Sequence, residues 1–188
     1  MTSHRDVANN WAQKTGKGRN GFNMFYEGDT IYSYGHHFPI ARHTVDVDGD
    51  AVILQTTAKW SVSTAKHKGI VWSAAYGQAK SFTVADINAA DDDAHQANLA
   101  DYKARIEAAL NTAFRARTYT EMYERDAYRL ADNAMEYAAY FDALMFEYAP
   151  LFDAYRDREN NRPANRKARA AAIKSADNFH LTLEREMA

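Results

Sequence analysis

A chain of 188 residues that is 46% hydrophobic can bury a core of its own, and a net charge of −2 selects neither a polyanion nor a membrane surface. The absence of cysteine excludes disulfides and thiolate chemistry and fits a reducing compartment. No apolar run approaches the ~18–20 residues that span a bilayer, and the opening MTSHRDVANNWAQK lacks the apolar stretch of a signal peptide. A soluble cytoplasmic protein without a membrane partner is expected.

In chain order, Ser3 and Asp6 mark a helix start, with Val7 and Trp11 one turn apart on a common face. That helix should end by Gly16. The stretch Lys14–Gly21, KTGKGRNG, resembles a phosphate-cradling loop in composition only, because it lacks the GK-[ST] ending and leads into a strand. Phe22–Tyr26 and Thr30–Tyr34 read as strands joined by a Glu27-Gly28-Asp29 turn. Gly35, His36 and His37 form a bend, and Pro39 restricts Phe38 to extended geometry ahead of a third strand, Phe38–Val47. Asp48-Gly49 signals a hairpin turn into a fourth strand, Ala51–Thr57, which Lys59–Val62 extends or follows with a short fifth. At Ser63-Thr64 the period changes from two to about 3.6, so either hydroxyl caps a helix that buries Ile70, Val71 and Ala74, with Lys66 and His67 in its first turn. Ser81–Ile87 is a last strand. The first half, 1–90, is therefore an α+β domain, a small and mostly antiparallel sheet with a packed helix.

The second half, 91–188, reads as helical. Acidic Asp91–Asp93 suits a helix start, and Leu99, Tyr102, Ile106, Leu110, Ala113 and Phe114 keep helical spacing. A heptad seam follows from Tyr123 through Ala127, Leu130, Ala134, Tyr137, Phe141, Leu144, Tyr148 and Leu151 to Tyr155, with Pro150 expected to kink or end the helix. With a final helix over Ala164–Glu186, these make an antiparallel three-helix region in which the seam is mainly intramolecular. The chain is then a monomer or, as a minority reading, a dimer. Residues 91–160 hold eight Lys/Arg against fifteen Asp/Glu, whereas 161–188 hold six against three. Arg162, Arg166, Lys167, Arg169 and Lys174 crowd the last helix's first half, where its dipole disfavours cations, so they should meet acidic helices or an external partner.

Chemistry concentrates in Gly28–His43, GDTIYSYGHHFPIARH, which holds three of the seven histidines. A metal site built from His36, His37, His43 and Asp46 or Asp48 is disfavoured, because adjacent strand residues point to opposite faces and no ligand motif has the right spacing. No cofactor is expected. A metal-independent nuclease is conceivable from residue types. His37 or His36 with His67 would be base and acid, Tyr34 would assist, and Lys66 and the Ser63–Lys66 helix start would stabilise a phosphate. Against it stands the plainer role of hydrogen-bonded structural histidines. Phe25, Tyr26, Tyr32 and Tyr34 beside Arg42, Lys59, Lys66 and Lys68 could also stack bases of a single strand and meet its phosphates.

The run Tyr32–Ala41, Y-S-Y-G-H-H-F-P-I-A, followed by S-x-S-T-A-K-H at Ser61–His67, resembles a small uncharacterised domain that recurs in bacteriophage and mobile-element proteins. The similarity covers about the first half of the chain, and its site positions are Tyr32, Tyr34, His37, Thr64 and His67. The resemblance implies a context rather than a mechanism. It points to an accessory or anti-defence protein in the host cytoplasm, for instance an anti-CRISPR inhibitor, whose partner is a host protein, a ribonucleoprotein or single-stranded nucleic acid. For such binding the candidates are Tyr32, His36, Arg42, Thr64, Lys68, Arg162, Arg166, Lys167 and Arg169. A nuclease using His37, His67, Lys66 and Tyr34, or a structural protein without a site, are the alternatives.

Overall fold

A computed structural model describes residues 2–15, 23–116 and 118–162. Helix α1 (His4–Ala12) starts at a capping box, in which Ser3 and Asp6 satisfy each other's backbone N–H groups. Strands β1 (Met24–Glu27), β2 (Thr30–Ser33), β3 (Pro39–Val45) and β4 (Ala51–Thr56) form an antiparallel meander. Helix α2 (Val62–Ala75) then carries the chain to β5 (Lys80–Val84), which pairs parallel with β4, so the five-stranded sheet is mixed and in sequence order. The register slips between Ile31 and Tyr32, and the two consecutive residues Ile40 and Ala41 both enter one core cluster, as a bulge allows.

That cluster covers one face of the sheet. Val7, Ala8 and Trp11 of α1 and Val71 and Ala75 of α2 bury against Met24, Ile31, Ile40 and Ile53. The other face is closed by residues 92–106 of α3 (Asp92–Arg115) and 128–140 of α4 (Thr120–Tyr140). Tyr137 meets Phe82 edge-on at 5.4 Å, Tyr102 lies 5.9 Å from Tyr137, and Arg105 donates to the Thr83 carbonyl. Consecutive Val52, Ile53 and Leu54 are consequently all fully buried, because β4 is covered on both sides. These parts, residues 1–106 with 128–146, make one compact unit. The described residues of 107–127 and 147–162 make a second, in which Leu110, Ala113, Ala127, Phe152 and Tyr155 are buried and Tyr155 hydrogen-bonds Glu124.

The architecture is α+β, with corrections to three elements. Lys59–Val62 is not a strand: residues 57–61 are irregular and Val62 already opens α2. The cap of α2 is Ser61, whose Oγ accepts from the Thr64 N–H at 3.2 Å, so Lys66 and His67 fall in the second turn. The single seam helix is two. α4 ends at Tyr140, Asp142 takes a left-handed φ of 46°, and α5 (Ala149–Asn160) begins with Pro150 in its first turn. Proline has no N–H to give to a helix interior but fits a helix start, so it begins α5 instead of kinking a longer helix. The seam breaks where Leu144 stands 81% exposed. The final helix expected over Ala164–Glu186 lies outside the described residues, as does most of Lys14–Gly21. Among the described residues no helix is long and apolar enough to cross a membrane.

Candidate functional site

After β2 the chain turns back sharply. Tyr34 adopts φ 64°, a left-handed conformation that costs a bulky residue energy, and its N–H donates to the Asn23 carbonyl at 2.6 Å. The turn closes through Ser33 N–H to Phe38 O and Phe38 N–H to Gly35 O. A Cβ at Gly35 would lie 2.9 Å from Cε1 of His37, so a larger residue there would have to turn that exposed imidazole aside. The result is that Tyr34 projects outward, 50% exposed, while Ser33 points into the protein.

Helix α2 supplies the other side. Its buried positions Thr64, His67, Val71 and Ala75 repeat at helical spacing, and this puts His67 under the bend. Nδ1 of His67 is 2.7 Å from Oγ of Ser33, its ring meets His4 edge-on at 4.5 Å, and Tyr34 lies over it at 5.5 Å. Burial, and then the neighbouring His4, push His67 below the ordinary histidine range, so it is neutral at pH 7. A neutral imidazole bonded to a serine hydroxyl has the parts of a base and a nucleophile. Yet His67 is 5% exposed and Ser33 not at all, which leaves a substrate no route to the hydroxyl.

The remaining histidines of the bend go elsewhere. His36 pairs with Glu27 at 2.8 Å and packs edge-on against Phe25 and Tyr32, and His37 lies against Phe38 at 4.1 Å. His43 is buried beneath Trp11, whose carbonyl its Nε2 meets at 3.0 Å. Thus Tyr34 and His67 are together, as are Tyr32 and His36. Lys66, about 100° around α2 from His67, joins Arg5 instead in an open groove of ≈ 480 Å³ between α1 and α2. Thr64 is buried and bonded to Ser61, so the expected anion pocket at Ser63–Lys66 is already filled by the helix cap. Arg42 donates to Asn88, and Arg162 donates to the Phe114 carbonyl at 2.6 Å within the second unit. Arg166, Lys167 and Arg169 lie outside the described residues.

Lys68 occupies a second groove, ≈ 560 Å³, on the other flank of α2 with Lys59, Trp60, Val62 and Ala65. Its ammonium donates to the Ala58 carbonyl at 2.8 Å, and burial together with Lys59 lowers its proton affinity. Trp60 is 38% exposed and braced edge-on by Phe38 at 5.3 Å. Trp72 and Tyr76 farther along α2 are also exposed. Residues 51–85 contain four lysines and no Asp or Glu, and of the four, Lys80 pairs with Glu136 of α4. Among the described residues no three His, Asp or Glu side chains converge on a possible metal position.

His4, Arg5, Ser33 and Trp60 were not singled out from sequence. No spacing relates His4 or Ser33 to His67, because their meeting depends on how α1 and the bend pack. Trp60 lies in a stretch that reads as strand by its residues and is irregular in the fold. The acid-free run of 51–85 was a readable signal for the surface. No protein-family model, no curated protein and no solved structure matches this chain.

Proposed function

We propose that this protein is a non-catalytic binder, a phage or mobile-element accessory protein that engages a host defence complex or nucleic acid in the host cytoplasm. An anti-CRISPR inhibitor is the concrete form. The observation that carries the binding reading is the surface along α2, where Trp60, Trp72 and Tyr76 are exposed among lysines with no acidic residue in the same 35-residue stretch, 51–85. Exposed aromatic patches with a charged rim are what partner surfaces look like. The phage context comes from the Tyr32–Ala41 and Ser61–His67 runs.

A metal-independent nuclease of His37, His67, Lys66 and Tyr34 has less support. Its proposed acid–base partner is sealed under His4 and Tyr34, and Lys66 opens onto a different groove. A purely structural protein would have no reason to keep Trp60 and Trp72 at the surface. The test is incubation of the full chain with labelled RNA and DNA, with and without chelator, beside a CRISPR effector assay. Retention of nucleic acid without cleavage, or arrest of the effector, is expected. Cleavage that survives chelator would refute the non-catalytic reading.

A further inference from the structure

The two grooves beside α2 are each lined by two cationic side chains and no carboxylate. Lys59 and Lys68 share one, Arg5 and Lys66 the other, and among the described residues none of the four makes a salt bridge, although Asp6 feels the charge of Arg5. Holding Lys59 and Lys68 beside each other at the edge of a partly buried recess costs electrostatic energy, which the Ala58 carbonyl bonded to Lys68 offsets only as a neutral acceptor. A bound anion would offset it. The recess itself is apolar, with a tryptophan held in orientation by Phe38 and walls of Val62 and Ala65. Its volume of ≈ 560 Å³ lies within the ~300–1,000 Å³ of small-ligand pockets, which suits a nucleotide rather than a helix. A duplex hides its base faces, so an indole in a recess can be reached only by an unpaired base.

Resting on the binding reading above, we propose that the Lys59–Trp60–Lys68 groove is a contact site for single-stranded nucleic acid. The indole stacks on a base and the two ammonium groups meet the flanking phosphates. The strand then crosses α2, about 10 Å wide, toward Lys66 and Arg5. Ala65 and Gly69 lie along that crossing and keep the ridge low. The fold itself does not call for glycine at 69, because a Cβ there would touch nothing within 4 Å.

The probes are fluorescein-labelled oligo(dT) and oligo(rU) of about 15 nucleotides, followed by anisotropy at about 50 and 200 mM salt. The full chain should bind both, more weakly at the higher salt. Trp60→Ala should lower affinity about tenfold or more. Lys59→Gln with Lys68→Gln should flatten the salt dependence by one to two phosphate contacts, about 0.7 in slope for each. Met135→Ala, exposed on α4 and in neither groove, should bind as the parent does. Circular dichroism checks that each variant is folded. In a Trp72→Phe background, quenching of the remaining accessible indole reports the contact directly. Oligonucleotide binding that ignores Trp60→Ala and the lysine pair would overturn the groove assignment while leaving the binding reading intact. No binding by the parent chain would overturn it too and turn the search to a protein partner. Poly-glutamate bound as tightly, with the same loss in the variants, would make this an acidic-peptide site and end the nucleic-acid proposal.

Discussion

His67 and His95 sit on opposite faces of one sheet and are built alike. Each is buried, each places Nδ1 2.7 Å from a hydroxyl, Ser33 for one and Tyr137 for the other, and each packs against an aromatic ring. Only their surroundings differ. His95 is enclosed by Tyr137, Phe141 and the amide of Asn98, with every ring in the core. His67 lies under a strained, half-exposed Tyr34 and beside His4. The comparison teaches that a buried histidine here is first a way of satisfying a hydroxyl inside the fold. What marks a surface for function is the exposed rim, not the imidazole.

The largest effect should come from cutting the chain after Ala90. Without α3 and α4, Val52, Leu54, Phe82 and Val84 lose the elements that bury them, and residues 1–90 should show no cooperative urea transition. A folded fragment would break the view that one face is closed by those helices. Next, Tyr137→Phe leaves His95 and the Asn98 amide without their shared oxygen and should destabilise by about 1–3 kcal/mol. Ser33→Ala removes one bond to His67 and should cost less, about 1 kcal/mol. Chemical denaturation of both variants checks the order, and a reversed order would show that the two pockets are not equivalent glue.

Acid should weaken the fold through the same groups. His43, His67 and His95 are all held below the ordinary histidine value, chiefly by burial. The unfolded chain then binds more protons once the pH falls below about 6.5, so stability is complete above that pH and is lost as the pH falls toward the lowered values. His4 pushes His67 further down, whereas Asp91 and Asp92 pull His95 back up. His67→Gln should therefore flatten the acid slope of the unfolding midpoint more than His95→Gln does, and equal slopes would contradict the assigned causes. The smallest effect has the opposite sign. Gly69→Ala, exposed in mid-helix with open space around it, should stabilise by about 0.5–1 kcal/mol by the same denaturation measurement.

All five strands, the turns of the meander and α1 were legible because alternation and the Gly28 and Gly49 turns act locally, and both glycines do take positive φ. What was not legible depends on distant partners. Ser63 and Thr64 are the expected caps of α2, and neither serves. Ser61 takes the role because that start turns His67 and Val71 inward. The seam reads through Leu144, yet nothing local reveals that α4 has already ended at Tyr140. At the candidate site Tyr34 and His67 were named together and do meet, while Lys66, adjacent to His67 in sequence, faces another groove. Helical rotation of about 100° per residue separates neighbours that a linear reading pairs.

The sheet's order of strands also bears on how the chain folds. Residues 28–29, 34–38 and 46–50 are all that separate β1 from β2, β2 from β3 and β3 from β4, whereas β5 arrives only after 57–79. Loop closure favours the short connections first, so during synthesis β4 waits with one edge unpaired until α2 has formed and delivered its neighbour. That interval exposes Val52-Ile53-Leu54 as an adhesive edge, and a cell producing this protein quickly should need chaperones at that step.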